Sequence, residues 1–229
     1  MRRDWDRRAR ENARHYVVTG QTQWSDDEFY RSGETTMRED ILNDLENICQ
    51  GRAPGDMRVL EIGCGAGRVT RSLAAFFGEV YAVDISPEMV RQARRAVAGF
   101  AHAHVFANNG KDLSAVRRGW WNRLGIGEKP RFDFAFSTMV FQHIAGREII
   151  ENYVRDVNRR LRPGALFKCQ VQGSPYSYSN REDTWVGATF TEAQAREMAE
   201  RCGFELRYHH GGGTQYYWLW LFKPAAAAR

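Results

Sequence analysis

From about Val59 onward, short apolar runs alternate with amphipathic stretches along the chain. Arg58–Ile62 reads as a strand, and Val69, Leu73, Phe76 and Phe77 place an apolar face on the helix after it. Glu79–Asp84 reads as the next strand. Ser86 and Pro87 then supply a helix cap and a first-turn proline ahead of Met89, Val90, Ala93 and Val97. Ala103–Ala107 and Phe132–Ser137 read as the third and fourth strands. Ile150, Tyr153, Val154, Val157 and Leu161 share one face of a long helix that Pro163-Gly164 stops. Ala165–Val171 is the fifth strand, and Thr191 with Gln194 forms a capping box for a helix closing at Gly203. Phe204–His209 and Gln215–Phe222 make a final hairpin about Gly211-Gly212-Gly213. Ahead of this unit, Asp4–Tyr16 and Thr35–Ile48 look helical, with Met37, Ile41, Leu45 and Ile48 on one face.

Strands alternating with helices predict an α/β fold with a doubly wound, mostly parallel seven-stranded sheet. A C-terminal antiparallel hairpin strand and an N-terminal helical lid complete it. The expected division is residues 1–52 as the lid, 53–224 as the ligand-binding domain and 225–229 as a low-complexity disordered tail.

Composition narrows the function. The 229 residues suit one domain with an appended helical segment, and 43% hydrophobic content supplies a sizeable core. Lys plus Arg exceed Asp plus Glu by 33 to 28, a net charge of +5 spread along the chain. Nucleic-acid binding calls for a concentrated basic stripe, so nucleic acid is not an expected partner. The arginines at 2, 3, 7, 8, 10 and 14 read as a solvated helix face. Cys49, Cys64, Cys169 and Cys202 show no metal-ligand spacing and read as reduced thiols of a cytoplasmic protein. The charged N-terminus has no apolar core of a signal peptide, and no run approaches the ~20 apolar residues of a membrane span. Oligomeric state is not legible.

The strongest local signal is Val59-Leu60-Glu61-Ile62-Gly63-Cys64-Gly65-Ala66-Gly67-Arg68, a strand running through a glycine turn into a helix. Such a turn lets backbone pass close to a ligand at the strand's carboxyl end; taken alone it is also a tight connection. Its spacing is GxGxG, whereas dinucleotide-binding loops carry GxGxxG. Asp84 ends the second strand, 21 positions after Gly63, where an acid accepts hydrogen bonds from ribose hydroxyls or caps the next helix.

These two segments together resemble the first and second motifs of the class I methyltransferases that use S-adenosylmethionine (SAM), especially their small-molecule branch. The resemblance covers about Val59 to Pro224. It implies that backbone at Gly63 and Gly65 lies beside the methionine part of SAM, with Glu61 near its amino group. It implies further that Asp84 holds the ribose while Ile85 and Met89 sandwich the adenine. Where the family carries an acid for the adenine amine, this chain has Asn109 in Ala107-Asn108-Asn109-Gly110, whose carbonyl is still an acceptor; the alternative is that Asn109-Gly110 is merely a turn. Cys64, Gly67, Asn108, Gly110, Ser137 and Met139 complete the expected cofactor shell, and Tyr16 is the lid residue expected to touch it.

The fourth strand ends Ser137-Thr138-Met139-Val140-Phe141-Gln142-His143-Ile144, without the Asn/Asp-Pro-Pro-aromatic run of base-amino methyltransferases. His143 lies where many small-molecule members have histidine. Sulfonium methyl transfer is an in-line displacement in which positioning supplies most of the acceleration. His143 is the candidate general base for a protonated acceptor; the bland alternative is a loop-shaping hydrogen bond. Tyr176, Tyr178 and Trp185, with Trp5, Trp24, Phe29 and Tyr30, are candidates for the lid or for packing, and Trp120-Trp121 for helix packing. His209-His210 lacks a third metal ligand at a recognisable spacing. The expected activity is methyl transfer from SAM to the O or N of a small metabolite. RNA or protein as acceptor, and a nucleotide-binding protein or nicotinamide dehydrogenase, are the alternatives.

Overall fold

The computed structural model describes residues 1–19, 21–117, 129–174 and 187–225. Trp120-Trp121, Tyr176, Tyr178, Trp185 and nearly all of the alanine tail lie outside them. Seven strands form one sheet: β1 (Arg58–Ile62), β2 (Glu79–Asp84), β3 (Ala103–Ala107), β4 (Phe132–Ser137), β5 (Leu161–Val171), β6 (Glu205–His210) and β7 (Tyr217–Phe222). Their spatial order is β3-β2-β1-β4-β5-β7-β6. The first five strands pair in parallel, and β7 is antiparallel to both β5 and β6. The hairpin therefore inserts its second strand next to β5 and leaves β6 at the edge.

Helices cover both faces, which is why β1, β2 and β4 carry nearly unbroken apolar runs. One core layer packs Val59, Phe134 and Leu166 beneath α3 (Leu45–Cys49) and α4 (Arg68–Phe76), and α2 (Asp26–Thr36) lies against α4. The other packs Tyr81, Phe141, Phe167 and Leu219 against α6 (Arg147–Arg160) and α7 (Glu192–Arg201). Between β2 and β3, α5 (Pro87–Ala96) starts as expected: Ser86 Oγ accepts from the Met89 N–H and Pro87 fills the first turn. The Thr191–Gln194 capping box on α7 also forms.

Two differences from the sequence reading have physical causes. The helix expected over Thr35–Ile48 is broken: α2 ends at Thr36, a π turn (Met37–Ile41) and a 3₁₀ turn (Leu42–Asp44) follow, and α3 begins at Leu45. Buried Lys168, from β5, donates to the Asp40 carbonyl at 2.6 Å and to Asp44 Oδ2 at 2.9 Å. That takes a carbonyl out of regular helical pairing. The arginine face of α1 (Arg2–Val17) is not wholly solvated. Arg8 is 4% exposed, with its guanidinium 4.9 Å from the Trp5 ring centre and 5.9 Å from that of Tyr16.

The N-terminal helix is docked across the sheet's carboxyl edge. Ala9 and Ala13 pack with Phe29, Ala66 and Met89. Asp6 Oδ1 accepts from Ser86 Oγ at 2.9 Å and from the Glu88 N–H at 3.0 Å, tying α1 to the start of α5.

Candidate functional site

The chain steps outward from β1 to β2 and β3, then returns to β4 on the other side of β1. This reversal opens a crevice at the carboxyl ends of the strands. A cavity of about 660 Å³ occupies it, within the ~300–1,000 Å³ common for small-ligand sites. Each strand end contributes wall: Glu61–Gly65 after β1, Asp84 and Ile85 after β2, Asn108 and Gly110 after β3, and Thr138–Val140 with Gln142–Ile144 after β4. The N-terminal segment roofs it with Trp5, Tyr16, Val17 and Val18, and Gln215 and Tyr216 enter from the final hairpin.

Backbone geometry at the glycine turn explains its residue types. Gly63 has φ +76°, and a Cβ there would run into the Val140 side chain. Gly65 has φ +52°, and a Cβ would sit 2.8 Å from Val17 of the roof. Gly67 differs: its missing Cβ makes room for Ala93 and Ala96 of α5, so it serves helix packing and does not line the cavity.

Two carboxyls sit beneath this turn. Asp84 Oδ2 accepts from the Gly65 N–H at 3.0 Å and Oδ1 from the Ser86 N–H at 2.9 Å, so one side chain organises both the loop and the α5 start. Enclosure by the cavity walls raises it to about 6, against these two hydrogen bonds. Glu61 is buried, accepts from Thr70 Oγ1 at 2.6 Å and is raised by burial to about 7. Cys64 lines the cavity with its thiol pushed well above the ordinary range by burial and the neighbouring carboxylates, so it is no nucleophile. Arg68, absent from the sequence-based site, also lines the cavity. It is 5% exposed, donates from Nη1 to Ser32 O and Thr36 Oγ1, and buries Nε with no hydrogen-bond partner among the described residues. Its position directly after Gly67 was the available clue.

Ile85, Met89, Asn108 and Gly110 wall the β2–β3 end. Asn108 donates to Tyr153 Oη at 2.9 Å. Asn109 does not line the cavity. Its carbonyl already accepts from the backbone N–H groups of Lys111 and Asp112, which occupies both lone pairs in an Asx turn. Ser137 is buried below the crevice and donates to Ile62 O at 3.1 Å, and neighbouring Thr138 reaches the wall in its place. Tyr16 lies in the wall, its hydroxyl donating to Glu11 at 3.2 Å. His143 stands at the β4 end against the edge of Trp5, ring centres 5.1 Å apart. Trp24 and Phe29 pack on each other away from the cavity. His209 sits 3.2 Å from Glu192, and no group of three metal-capable side chains occurs among the described residues. No helix among them is long and apolar enough to cross a membrane.

A family profile described as a methyltransferase domain matches residues 34–217. The chain belongs to the SAM-dependent methyltransferases. Ubiquinone biosynthesis O-methyltransferase of Xanthomonas axonopodis pv. citri is 26% identical over 137 residues, 59% of this chain and 52% of that protein. This methyltransferase thus spans about half the length of the curated relatives it matches. A different relative, the rRNA adenine N-6-methyltransferase of Streptomyces fradiae, is 38% identical over 63 residues, only 28% of this chain and 19% of that protein. The magnesium protoporphyrin IX methyltransferase of Synechocystis, solved with S-adenosylhomocysteine, has the same fold: TM-score 0.63 at 18% identity, covering 97% of each chain.

SAM supplies a methyl group on a sulfonium, and the cavity suits it. Two carboxyls offer acceptors for an ammonium and a ribose, and positive-φ glycines let backbone approach. In the free methyltransferase, Glu61 and Asp84 are raised to about 7 and about 6 and hold part of a proton near pH 6. A cationic ammonium placed beside Glu61 and ribose hydroxyls donating to Asp84 would favour the ionised forms, so binding in that pose would release protons. Affinity for S-adenosylhomocysteine is expected to rise from pH 5 to about 7 and level above that. Calorimetry in buffers of different ionisation heat checks the released proton, and a flat profile would refute this coupling.

Proposed function

We propose that the enzyme transfers the methyl group of SAM to an oxygen or nitrogen of a small, largely apolar metabolite. Gly63 and Gly65 lie against the methionine part, Glu61 takes its ammonium, Asp84 the ribose, and Ile85 and Met89 the adenine. The acceptor then occupies the β4 end, where His143 contacts it.

One observation carries this reading. The β4 end is walled by Trp5, Met139, Val140, Ile144 and Tyr216, and Trp5 of the N-terminal helix stands over it, its ring centre 5.1 Å from that of His143. An apolar, roofed compartment suits a small molecule better than a polymer strand, whose backbone needs an open basic groove. The relative named for ubiquinone biosynthesis adds support, although this chain spans 52% of it. The residues of the enzyme bind, align and exclude water, and an in-line displacement needs little else.

Incubation with SAM carrying a radioactive methyl group tests the reading, with a panel of phenols, hydroxy acids and amines beside total RNA and denatured protein. Label in the low-mass fraction supports it. Label confined to RNA or protein would overturn it.

A further inference from the structure

At the β4 end, Met139 has φ +57°, a left-handed conformation rare for a residue with a side chain. It turns the Met139 N–H inward onto Gln170 Oε1 at 2.9 Å. Gln170 lies on β5 and is 1% exposed. A backbone N–H can only donate, so Gln170 presents its oxygen to Met139 and its NH₂ to the other side. There Gln170 Nε2 meets Gln142 Oε1 at 2.8 Å. Gln142 is 5% exposed and must turn its own NH₂ outward, 3.2 Å from His143 Nε2. An amide nitrogen donates and does not accept, so His143 Nε2 is the acceptor. The Gly187 N–H on the Gln142 carbonyl, at 2.7 Å, holds this turn in place.

We propose that Gln142 and Gln170 are positioning residues that transmit the polarity of the Met139 N–H to His143 and hold its imidazole as the neutral Nδ1–H tautomer. A proton placed on Nε2 would face an N–H. Relieving that clash requires both amides to turn over, which sets the Gln170 NH₂ against the Met139 N–H. Nε2 is therefore not the base that takes the acceptor's proton, and His143 serves as part of the acceptor's wall instead. That consequence rests on the small-molecule reading, whereas the tautomer does not. It also narrows the acceptor to a group that arrives as a nucleophile, such as a neutral amine or a phenolate.

Imidazole ¹⁵N resonances of histidine-labelled protein, with His143 assigned by its loss in His143→Gln, read the tautomer without cofactor or acceptor. The wild type is expected to carry the proton on Nδ1. Gln142→Glu removes the donor and leaves a carboxylate that accepts from Nε2–H. Gln170→Glu accepts from Met139 and forces Gln142 to turn its oxygen to His143. Each variant is expected to move the proton to Nε2 and the His143 titration to higher pH, and either one suffices should the other misfold. Nε2–H in the wild type, or a proton that stays on Nδ1 in a folded variant, overturns the relay. Either result leaves the methyltransferase assignment intact. Conversely, label found only in RNA would sink the acceptor reading and leave the tautomer as it is.

Discussion

Asp84→Ala is expected to weaken S-adenosylhomocysteine binding by about 2–4 kcal/mol, about 30- to 900-fold. Two losses combine. The ribose hydroxyls lose their acceptor, and the N–H groups of Gly65 and Ser86 lose theirs, so the glycine turn and the α5 start are no longer tied together. Orphaned donors in an enclosed crevice cost more than the net worth of the bonds removed, which sets the upper figure. Calorimetry on the folded variant measures the effect. Undiminished affinity would show that Asp84 neither holds the ribose nor keeps the loop in its binding geometry.

Gly63→Ala is expected to abolish measurable binding, a loss of at least about 100-fold. A side chain at φ +76° costs about 1–2 kcal/mol through its own backbone. The Cβ also overlaps Val140, displacing the segment after β4 that lines the cavity. The double variant Gly63→Ala/Val140→Ala relieves the overlap and is expected to recover part of the thermal stability but not the backbone term. Normal binding by the single variant would mean that this turn is not the cofactor loop. Gly67 gives the contrast. Its Cβ would meet Ala93 and Ala96, so Gly67→Ala should lose stability and binding together.

The parts of the site legible in the sequence are those where a local backbone demand selects the residue type. Gly63 and Gly65 at positive φ, Asp84 at a strand end and the Ser86-Pro87 cap are all set within a few residues of chain. The capping box Ser25–Glu28 that opens α2 was equally readable and marks a helix the periodicity missed. What escaped depends on distant partners. The break after Thr36 follows from Lys168, 128 residues away from Asp40, and the Gln142–Gln170 pair spans 28 residues between a turn and a strand. Gln215 and Tyr216 reach the cavity only because β7 inserts beside β5, a consequence of topology with no local signature. At Asn109 the sequence left both an acceptor and a turn open, and the structure has the turn: its carbonyl is taken by the Lys111 and Asp112 N–H groups.

A crystal structure of the protein with S-adenosylhomocysteine tests the central claim most directly. The ribose hydroxyls are expected on Asp84, the ammonium beside Glu61, and the sulfur aimed at the compartment bounded by Trp5, Met139 and His143. An adenosyl group bound away from Asp84, or a sulfur opening onto a broad basic groove, would contradict it.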